Sequence, residues 1–273
     1  MPKSKNYNFI FGAVIACFMS AIILMGIFWT PYGPDTMNSS ARKEPPSITH
    51  ILGTDDFGRD IFSRIVKGAG TTFGAAAAIV AIGAVTGILL GAVTGYYGGW
   101  LDDLLMRISD IITAFPSILL ALVVISILGR GKHYVIVAFG ILFIPGFARI
   151  ARSEFARCKN LDYVRSAQLM GVSNIRIMFV HILPNTMRVL LSAVAIGFNN
   201  AVLAEASMSY LGIGVQPPEA SLGRMLSESQ TYFFSTPWYA MSAGTAVVLL
   251  VLGFGLLSDG LSEHRRKGVK GSA

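Results

Sequence analysis

Long apolar runs separated by short polar intervals dominate the chain and predict six membrane-spanning helices. The first run, residues 9–29, ends in Trp29, Thr30 and Pro31 rather than in a small-residue cleavage site. Its length of about 20 residues exceeds the roughly 7–15 of a signal-peptide core, so we predict a retained span. Later runs predict spans over residues 73–97, 102–128, 134–150, 187–211 and 238–257.

Proline and glycine modify three of these spans. Pro116 should kink the third span, because a proline removes a helical hydrogen bond and clashes with the preceding turn. Pro145 and Gly146 are expected to interrupt the fourth. In the second span, small residues recur every four positions and form a stripe that another helix can approach closely. The stripe consists of Gly83, Gly87, Gly91 and Gly95, and its partner helix lies either in this chain or in another subunit.

A polar stretch precedes the second span. From Asp56 to about Gly70, apolar residues recur at helical spacing with charged residues between them, which predicts an amphipathic helix lying along an interface. Asp55, Asp56 and Asp60 raise the alternative of metal or acid chemistry. A capped surface helix with solvated charges is the preferred interpretation, because charge runs are usually solvated.

Polar residues inside or beside the spans are candidates for function. Arg107 and Asp110 are three positions apart and can pair on one helix face near a membrane end. Asn199, Asn200 and Glu205 lie within the fifth span. A carboxylate there is costly, about 2.5–3.5 kcal/mol on insertion scales for a central Asp, so it faces a cavity or a partner. These three residues are candidates for a translocation pathway or gate; a buried helix–helix hydrogen bond explains Glu205 equally well.

The interval 162–185 is the one long polar and basic segment between two spans that is not a simple turn. It predicts two short helices. Gly171 ends the first, because glycine readily takes the left-handed conformation. Ser173 caps the second, and Pro184 ends it because proline has no N–H for a helical hydrogen bond. The result suits a rigid foot that another protein grips; a surface loop packed on its own bundle is the alternative.

Composition and charge support a membrane protein. Hydrophobic residues make up 53% of the 273 residues and charged residues 14%, unlike an ordinary soluble domain. With six spans, fourteen Lys and Arg residues lie on the side of the termini and foot and eight on the other. The positive-inside rule therefore places both termini and the foot in the cytoplasm. Cys17 and Cys158 are not expected to pair, and the four histidines show no metal-ligand spacing.

The chain contains no phosphate-binding loop. The nearest candidate, the GRGK of Gly129–Lys132, lacks the preceding glycine and the Ser or Thr that follows the lysine of such loops. If ATP powers this protein, another chain binds it. No arrangement of Ser, His and Asp or metal cluster in the sequence indicates a membrane enzyme.

The 162–185 interval resembles the EAA loop of permease subunits of bacterial ATP-binding-cassette importers, in which that loop inserts into a groove on the ATPase subunit. Arg165, Ser166 and Ala167 stand at the Glu-Ala-Ala triplet, followed by Gly171 and Pro184 at the family spacing. Arg165 and Ser166 depart from the Glu and Ala of that triplet. The resemblance assigns to this coupling loop Asp162, Tyr163, Arg165, Ser166, Ala167, Gly171 and Pro184.

Other motifs, in the right order, resemble the dipeptide, oligopeptide and nickel branch of the same family. They begin at His50 (HILGTDDFGRDIFSR), Arg107 (RISDIITAFP), Ala204 (AEASMSYLGIG) and Pro217 (PPEASLGRML). The resemblance implies an all-α membrane protein with six transmembrane helices, the type I importer permease (MetI-like) fold, and a cytoplasmic EAA coupling loop.

The resemblance also implies a function. It indicates a permease subunit, not an enzyme, that acts with a second homologous permease, two ATP-binding subunits and an extracytoplasmic substrate-binding protein in a bacterial inner membrane. The chain itself is expected to bind no cofactor, since ATP and Mg are used by the partner subunits. The expected cargo is di- or oligopeptides, with nickel or a metal chelate as the alternative. An ion-coupled secondary transporter using Glu205 is the alternative of another class, although no inverted repeat is evident.

These inferences divide the chain into four parts. They are residues 1–30, the N-terminal tail and first span; 31–72, an extracytoplasmic loop with the amphipathic helix; 73–260, a five-helix core that includes the coupling loop 154–185; and 261–273, a basic cytoplasmic tail.

Overall fold

The computed structural model describes residues 7–270 of the chain, and side chains for residues 9–258. Lys3, Lys5 and the side chains of the basic tail lie outside this part. Helices are the regular structure of the described residues, with one isolated β-bridge between Thr54 and Asp60. The helices are α1 (Tyr7–Phe28), α2 (Ile61–Tyr97), α3 (Trp100–Thr113), α4 (Ser117–Leu128), α5 (Lys132–Cys158), α6 (Asp162–Leu169), α7 (Asn174–Arg176), α8 (Leu183–Tyr210), α9 (Leu222–Gln230) and α10 (Pro237–Lys270).

Within the described part of the chain, five stretches of helix are long and apolar enough to cross a membrane, or six if a bent pair counts as one span. The bent pair is α3 and α4, which meet at 92° beside Pro116. Proline cannot continue the hydrogen-bonding ladder, so a break there is expected. The kink predicted for the third span is therefore a break between two helices that lie nearly at a right angle. The predicted interruption of the fourth span at Pro145 and Gly146 is wrong. The helix α5 continues through Pro145 to Cys158.

The second span is longer than predicted. The amphipathic segment and the span are one helix of 37 residues, α2, so the boundary predicted between residues 72 and 73 falls inside a helix. The helix begins at Ile61 rather than near Asp56. Asp60 caps it, accepting a hydrogen bond from the backbone N–H of Ser63 at 2.7 Å. Capping was predicted correctly, but the predicted solvation of the charges was wrong, as described below.

The chain forms two compact units. The first consists of the chain up to Ala77, Leu128–Ile136 and the chain from Asn199 onward. In it, α10 packs against both α1 and α9. The contact with α1 is close, because a Cβ atom placed on Gly253 would lie 2.8 Å from the side chain of Ile15.

The second unit consists of Ala78–Ile127 and Val137–Phe198. Its α2 portion presents the glycine stripe to α5. A Cβ atom on Gly83 would lie 2.7 Å from that of Phe143, and one on Gly87 would lie 2.7 Å from the carbonyl oxygen of Ile144. Gly91 and Gly95 face the α5 backbone in the same way. The partner of the stripe is thus a helix of this chain, and the two backbones touch because the glycines have no side chains.

We expect Gly87→Ala to lower the stability of the folded chain by about 1–3 kcal/mol, because the added methyl forces α2 and α5 apart. Gly74→Ala in the same helix is the matched control, since a Cβ atom there has no neighbour within 4 Å. It should be neutral or slightly stabilising, because alanine is the better helix former. Thermal unfolding in detergent measures both; equal midpoints for the two variants would contradict the packing role.

Candidate functional site

The foot, residues 162–185, is built from two helical pieces around a glycine turn. The first piece is α6, which buries Val164 and Ala167. Gly171 then takes the left-handed conformation with φ +76°, as predicted from its position. Ser173 stands at the N-cap of the second piece, but its side chain makes no capping hydrogen bond.

The second piece does not end at Pro184. After α7, residues 177–182 form a π-helix that leads directly into α8, whose second residue is Pro184. Pro184 has no N–H to donate, and the wider π turn before it lets the helix continue without that hydrogen bond. The side-chain amide of Asn185 donates to the carbonyl oxygen of His181 at 2.8 Å and satisfies a backbone group there. The predicted stop at Pro184 is therefore wrong, and the foot is continuous with the fifth span.

A buried apolar cluster holds the foot on the ends of α2 and α5. Ala92 and Tyr96 come from α2, and Phe155 and Cys158 from α5. From the foot, the cluster includes Val164, Ala167, Ile177, Met178 and Ile182. Since both helical pieces of the foot contribute, they are fixed to the same two spans.

The phenol of Tyr96 joins the two pieces. It donates a hydrogen bond to Oδ1 of Asn174 at 2.9 Å and accepts one from Nε2 of Gln168 at 3.2 Å. Lys159 Nζ also donates to the backbone oxygen of Tyr96 at 3.3 Å. Sequence reasoning missed these residues, because Tyr96 lies far along the chain from the foot and no motif marks it.

The opposite side of the foot is exposed. Asp162, Tyr163, Arg165 and Ser166 are solvent-accessible, whereas Ala167 is buried. Leu169, Met170 and Ile175, which flank the glycine turn, are 89%, 75% and 69% exposed. The buried side of α6 therefore consists of Val164 and Ala167, whereas Leu169 and Met170 project outward. Three large apolar side chains are thus exposed together beside the glycine turn.

Charged side chains link α3 to α5. Arg152 forms a two-pronged ion pair with Asp102, in which Nη2 lies 2.6 Å from Oδ2. Asp110 pairs with Arg149 of α5 at 3.0 Å, and not with Arg107, the partner predicted from the sequence. A cavity of about 480 Å³ between these helices is lined by Asp103, Met106, Arg107, Asp110, Arg149 and Arg152.

The three predicted pathway candidates lie on α8 but do not converge. Asn200 is exposed, and Asn199 is partly buried, next to Gly255 of α10. Oδ1 of Asn199 has no hydrogen-bond partner among the described residues. Glu205 is 1% exposed and accepts a hydrogen bond from the Ser209 hydroxyl at 2.6 Å. Its carboxyl therefore does not line an open passage in this conformation of the chain.

The charged motif that begins at His50 builds a buried ionic cluster. Asp55, Arg59 and Arg64 are 1%, 3% and 0% exposed, so their predicted solvation is wrong. They are buried because each has a partner. Arg59 Nε lies 2.6 Å from Asp55 Oδ2, and the guanidiniums of Arg59 and Arg64 lie 3.1 and 3.2 Å from Glu228 Oε2. The Tyr239 hydroxyl donates to the same oxygen at 3.1 Å. We call Asp55, Arg59, Arg64, Glu228 and Tyr239 the ionic cluster.

The aspartates of the motif are used structurally. Oδ1 of Asp55 accepts the backbone N–H groups of Phe57 and Arg59, both at 2.9 Å. Asp60 caps α2 and pairs with His50 Nδ1 at 2.9 Å. These contacts give Asp55 and Asp60 a role in stabilising the local fold, in place of the metal or acid chemistry considered above. Glu228 and Tyr239 were missed, because they are supplied by distant parts of the chain.

Two carboxyl groups have shifted pKa values: Glu228, which belongs to this cluster, and Asp56, which lies beside it. Burial raises the pKa of Asp56, and the adjacent Asp55 carboxylate adds to the effect. Burial alone would also raise the pKa of Glu228. The guanidinium of Arg64, the hydrogen bond from Arg224 and the guanidinium of Arg59 outweigh burial and hold the pKa of Glu228 below its usual range.

The lowered pKa of Glu228 predicts a pH dependence. Its ionised form is stabilised by folding, so its contribution to stability is fully present above its unfolded pKa of 4.5 and is lost as the pH falls through the lower folded value. At about pH 7, Glu228→Gln should cost about 3 kcal/mol, since it removes a negative charge that the buried guanidiniums of Arg59 and Arg64 share. The difference in unfolding midpoint between wild type and variant should shrink below pH 4.5. A difference that stays constant down to about pH 3 would contradict this assignment.

Several long apolar helices and a folded foot between two of them define a multi-pass, all-helical membrane protein of the transporter permease class. Residues 87–270 match the family described as binding-protein-dependent transport system inner membrane component. The chain belongs to this family. It is therefore the permease subunit of a binding-protein-dependent importer, and ATP hydrolysis lies in separate subunits.

Similar proteins cover nearly the whole chain. The dipeptide transport system permease protein of Alkalihalophilus pseudofirmus is 39% identical over 262 residues, which is 95% of this chain and 85% of that protein. The corresponding protein of Haemophilus influenzae is 36% identical over 265 residues, 95% of this chain and 90% of that one. The glutathione transport system permease protein of Pectobacterium atrosepticum is 39% identical over 255 residues, 91% and 85% of the two chains.

Proposed function

We propose that the chain forms half of the translocation pathway of an ATP-driven importer for di- and oligopeptides. The similarity to permeases named for dipeptide and glutathione transport, over more than 90% of the chain, carries this proposal. Glutathione is itself a short peptide, so both names fall in one cargo class. Nickel or a metal chelate is the alternative cargo.

Besides this chain, the working assembly contains three kinds of subunit. A second, homologous permease completes the pathway, two ATP-binding subunits supply energy, and an extracytoplasmic binding protein delivers cargo. Membership of the family supports ATP-binding and substrate-binding partners. The chain contributes its exposed apolar turn, Leu169, Met170 and Ile175, to the contact with an ATP-binding subunit.

The foot transmits motion from the ATP-binding subunits to the spans. Its inner side is fixed to α2 and α5 by the apolar cluster, and its end is continuous with α8. A push on the turn at Gly171 therefore moves three spans together. Asp162, Tyr163, Arg165 and Ser166 form the rest of the contact, while Ala167 and Pro184 shape it.

The spans lining the pathway include α8. Asn199 and Asn200 are the candidates for contact with cargo, since each is at least partly accessible in the isolated chain. Glu205 belongs to the gate and not to the lining, because it is buried.

Both termini and the foot lie in the cytoplasm. The excess of Lys and Arg on the side of the termini supports this orientation. A protease applied to the outside of intact spheroplasts should leave a C-terminal epitope tag uncut, and cleavage of the tag would reverse the assignment.

The experiment that tests the function is purification of a tagged chain in mild detergent, with mass spectrometry of the bound proteins. A second permease and ATP-binding chains should be recovered. The binding protein encoded alongside them is then titrated with dialanine, glutathione and Ni²⁺. Binding of the peptides supports the proposal, whereas binding of Ni²⁺ alone replaces the cargo with the metal alternative. Transport by this chain alone in vesicles without ATP would overturn the importer assignment.

A further inference from the structure

The outer side of the foot carries two guanidinium groups without partners. Arg165 lies on α6, Arg176 is the last residue of α7, and both are exposed. Neither guanidinium forms a hydrogen bond or an ion pair with another described residue of the chain. Asp162 lies one turn before Arg165 on the same helix, yet no ion pair joins these two side chains. The foot therefore presents positive charge that the chain itself does not neutralise.

Exposure alone does not leave an arginine unpaired in this part of the molecule. On α5, which leads to the foot, Arg149 lies 3.0 Å from Asp110, and its side chain is 51% exposed. Arg157 lies 2.6 Å from Glu154, and its side chain is 60% exposed. Both guanidiniums are engaged within the chain although water can reach them.

Each free guanidinium of the foot stands beside an exposed apolar side chain. Arg165 and Leu169 are four positions apart on α6, so they share one face of that helix. Arg176 directly follows Ile175. Leu169 and Ile175 are 89% and 69% exposed. An apolar centre with a polar rim is the usual anatomy of a protein–protein interface, and arginine is enriched there.

The charge of the foot determines the kind of surface that fits it. Residues 162–185 contain two arginines, one acid and one histidine. The acid, Asp162, is the first residue of α6, where the helix dipole favours negative charge. A carboxylate is the protein group that a guanidinium binds through two parallel hydrogen bonds. A surface complementary to the foot therefore carries acidic side chains around an apolar floor.

The position of this surface favours a protein partner over lipid headgroups. The inner side of the foot, which includes Val164 and Ala167, is buried against the ends of α2 and α5. Arg165 and Leu169 lie on the opposite, exposed side of α6. They therefore project away from the two spans and away from the bilayer around them.

We propose that Arg165 and Arg176 bind carboxylates of the ATP-binding subunit, at the rim of an apolar surface that receives Leu169, Met170 and Ile175. The ATP-binding partner of this chain thus carries Asp or Glu where it meets the foot. This inference rests on the proposed importer function and adds to it the charge of the partner surface.

Cross-linking with a carbodiimide identifies the partner of residue 165, because this reagent joins an amine only to a carboxylate in contact with it. Arg165→Lys supplies the amine in the complex purified in mild detergent, and mass spectrometry identifies the joined peptides. We expect the lysine introduced at position 165 to be joined to an Asp or Glu of an ATP-binding chain. Joining to Asp162 alone, or to no carboxylate, would overturn the proposal.

Arg157→Lys is the matched control for the cross-linking chemistry. The arginine at this position is exposed and already pairs with Glu154 of its own chain. The introduced lysine should therefore be joined to Glu154, which shows that the reagent reaches an exposed ion pair in this part of the molecule.

Charge reversal measures how much the contact contributes to assembly. Arg165→Glu should lower the recovery of ATP-binding chains on the tagged permease about tenfold, because like charges then face each other. Arg188→Glu makes the same change at an exposed position of α8 outside the foot and should leave the recovery unchanged. Equal losses in the two variants would contradict a specific contact.

A compensating change in the partner tests for a direct ion pair. The carboxylate found by cross-linking is replaced by lysine and combined with Arg165→Glu, which should restore most of the recovery. Absence of restoration would contradict the pair. The comparison is repeated in nanodiscs of phosphatidylcholine with and without phosphatidylglycerol. A loss in Arg165→Glu that appears only with phosphatidylglycerol would assign the arginine to the lipid surface and overturn the proposal.

The wild-type chain separates failure of this inference from failure of the proposed function. Recovery of no ATP-binding chain by wild type would overturn the importer assembly and this contact with it. Full recovery by both wild type and Arg165→Glu would retain the importer assembly and overturn the acidic partner surface alone.

Discussion

Gly171→Val should reduce ATP-driven uptake about tenfold or more while leaving the complex assembled. The glycine has φ +76°, and a Cβ atom there has no neighbour within 4 Å, so the cost is in the backbone and not in crowding. The left-handed conformation costs an ordinary residue about 1–2 kcal/mol, and a branched residue more, which corresponds to about a tenfold loss of the native turn. The exposed Leu169 and Ile175 on either side would then lose their relative position.

Gly171→Asn is the matched control, because asparagine tolerates the left-handed conformation far better than valine. It should keep most of the uptake, whereas Gly171→Pro, with φ fixed near −65°, should behave like valine. Uptake assays are combined with recovery of the ATP-binding chains on the tagged permease. Normal uptake by a fully assembled valine variant would show that the turn does not carry coupling.

Arg64→Ala should lower the stability of the folded chain by about 3–5 kcal/mol. Arg64 is fully buried, and its guanidinium lies 3.2 Å from Glu228 and 3.3 Å from Asp35. Removing it leaves the two carboxylates of the ionic cluster, Asp55 and Glu228, with one buried guanidinium instead of two, which costs far more than the loss of a surface pair. The thermal unfolding midpoint of the complex in detergent measures the effect.

Arg157→Ala is the control for loss of an ion pair. Its side chain is 60% exposed and pairs with Glu154 within one helix turn, so the expected cost is below about 1 kcal/mol. Arg64→Lys keeps the charge but cannot reproduce the planar fork of contacts, and we expect an intermediate loss. Similar midpoints for Arg64→Ala and Arg157→Ala would mean that the ionic cluster contributes little.

Features that depend on local chemistry could be predicted from the sequence. The long apolar runs identified the spans, because a helix of about 20 apolar residues is what a bilayer accepts. The left-handed turn at Gly171 and the break at Pro116 follow from the backbone limits of those residues. The glycine stripe on α2 likewise marked a close helix contact before its partner was known.

Features that depend on contacts between distant residues could not be predicted from the sequence. The charges of the motif at His50 read as solvated because their partner Glu228 lies 164 residues after Arg64. Asp110 similarly had a plausible neighbour in Arg107, yet α5 supplies a better one in Arg149. Pro184 failed as a stop for a different reason, since a π turn can absorb a proline that an α-helix cannot.

The separation between Arg64 and Glu228 also bears on how the protein is made. At about 5–20 residues per second, the ribosome needs roughly 10–30 s after Arg64 to deliver Glu228. During that interval the arginine is already part of the chain, but the acid that completes its burial does not yet exist. Maturation of this region must therefore wait until most of the spans have been inserted. An unfinished or stalled chain would therefore expose to water a guanidinium that the completed chain buries against Glu228.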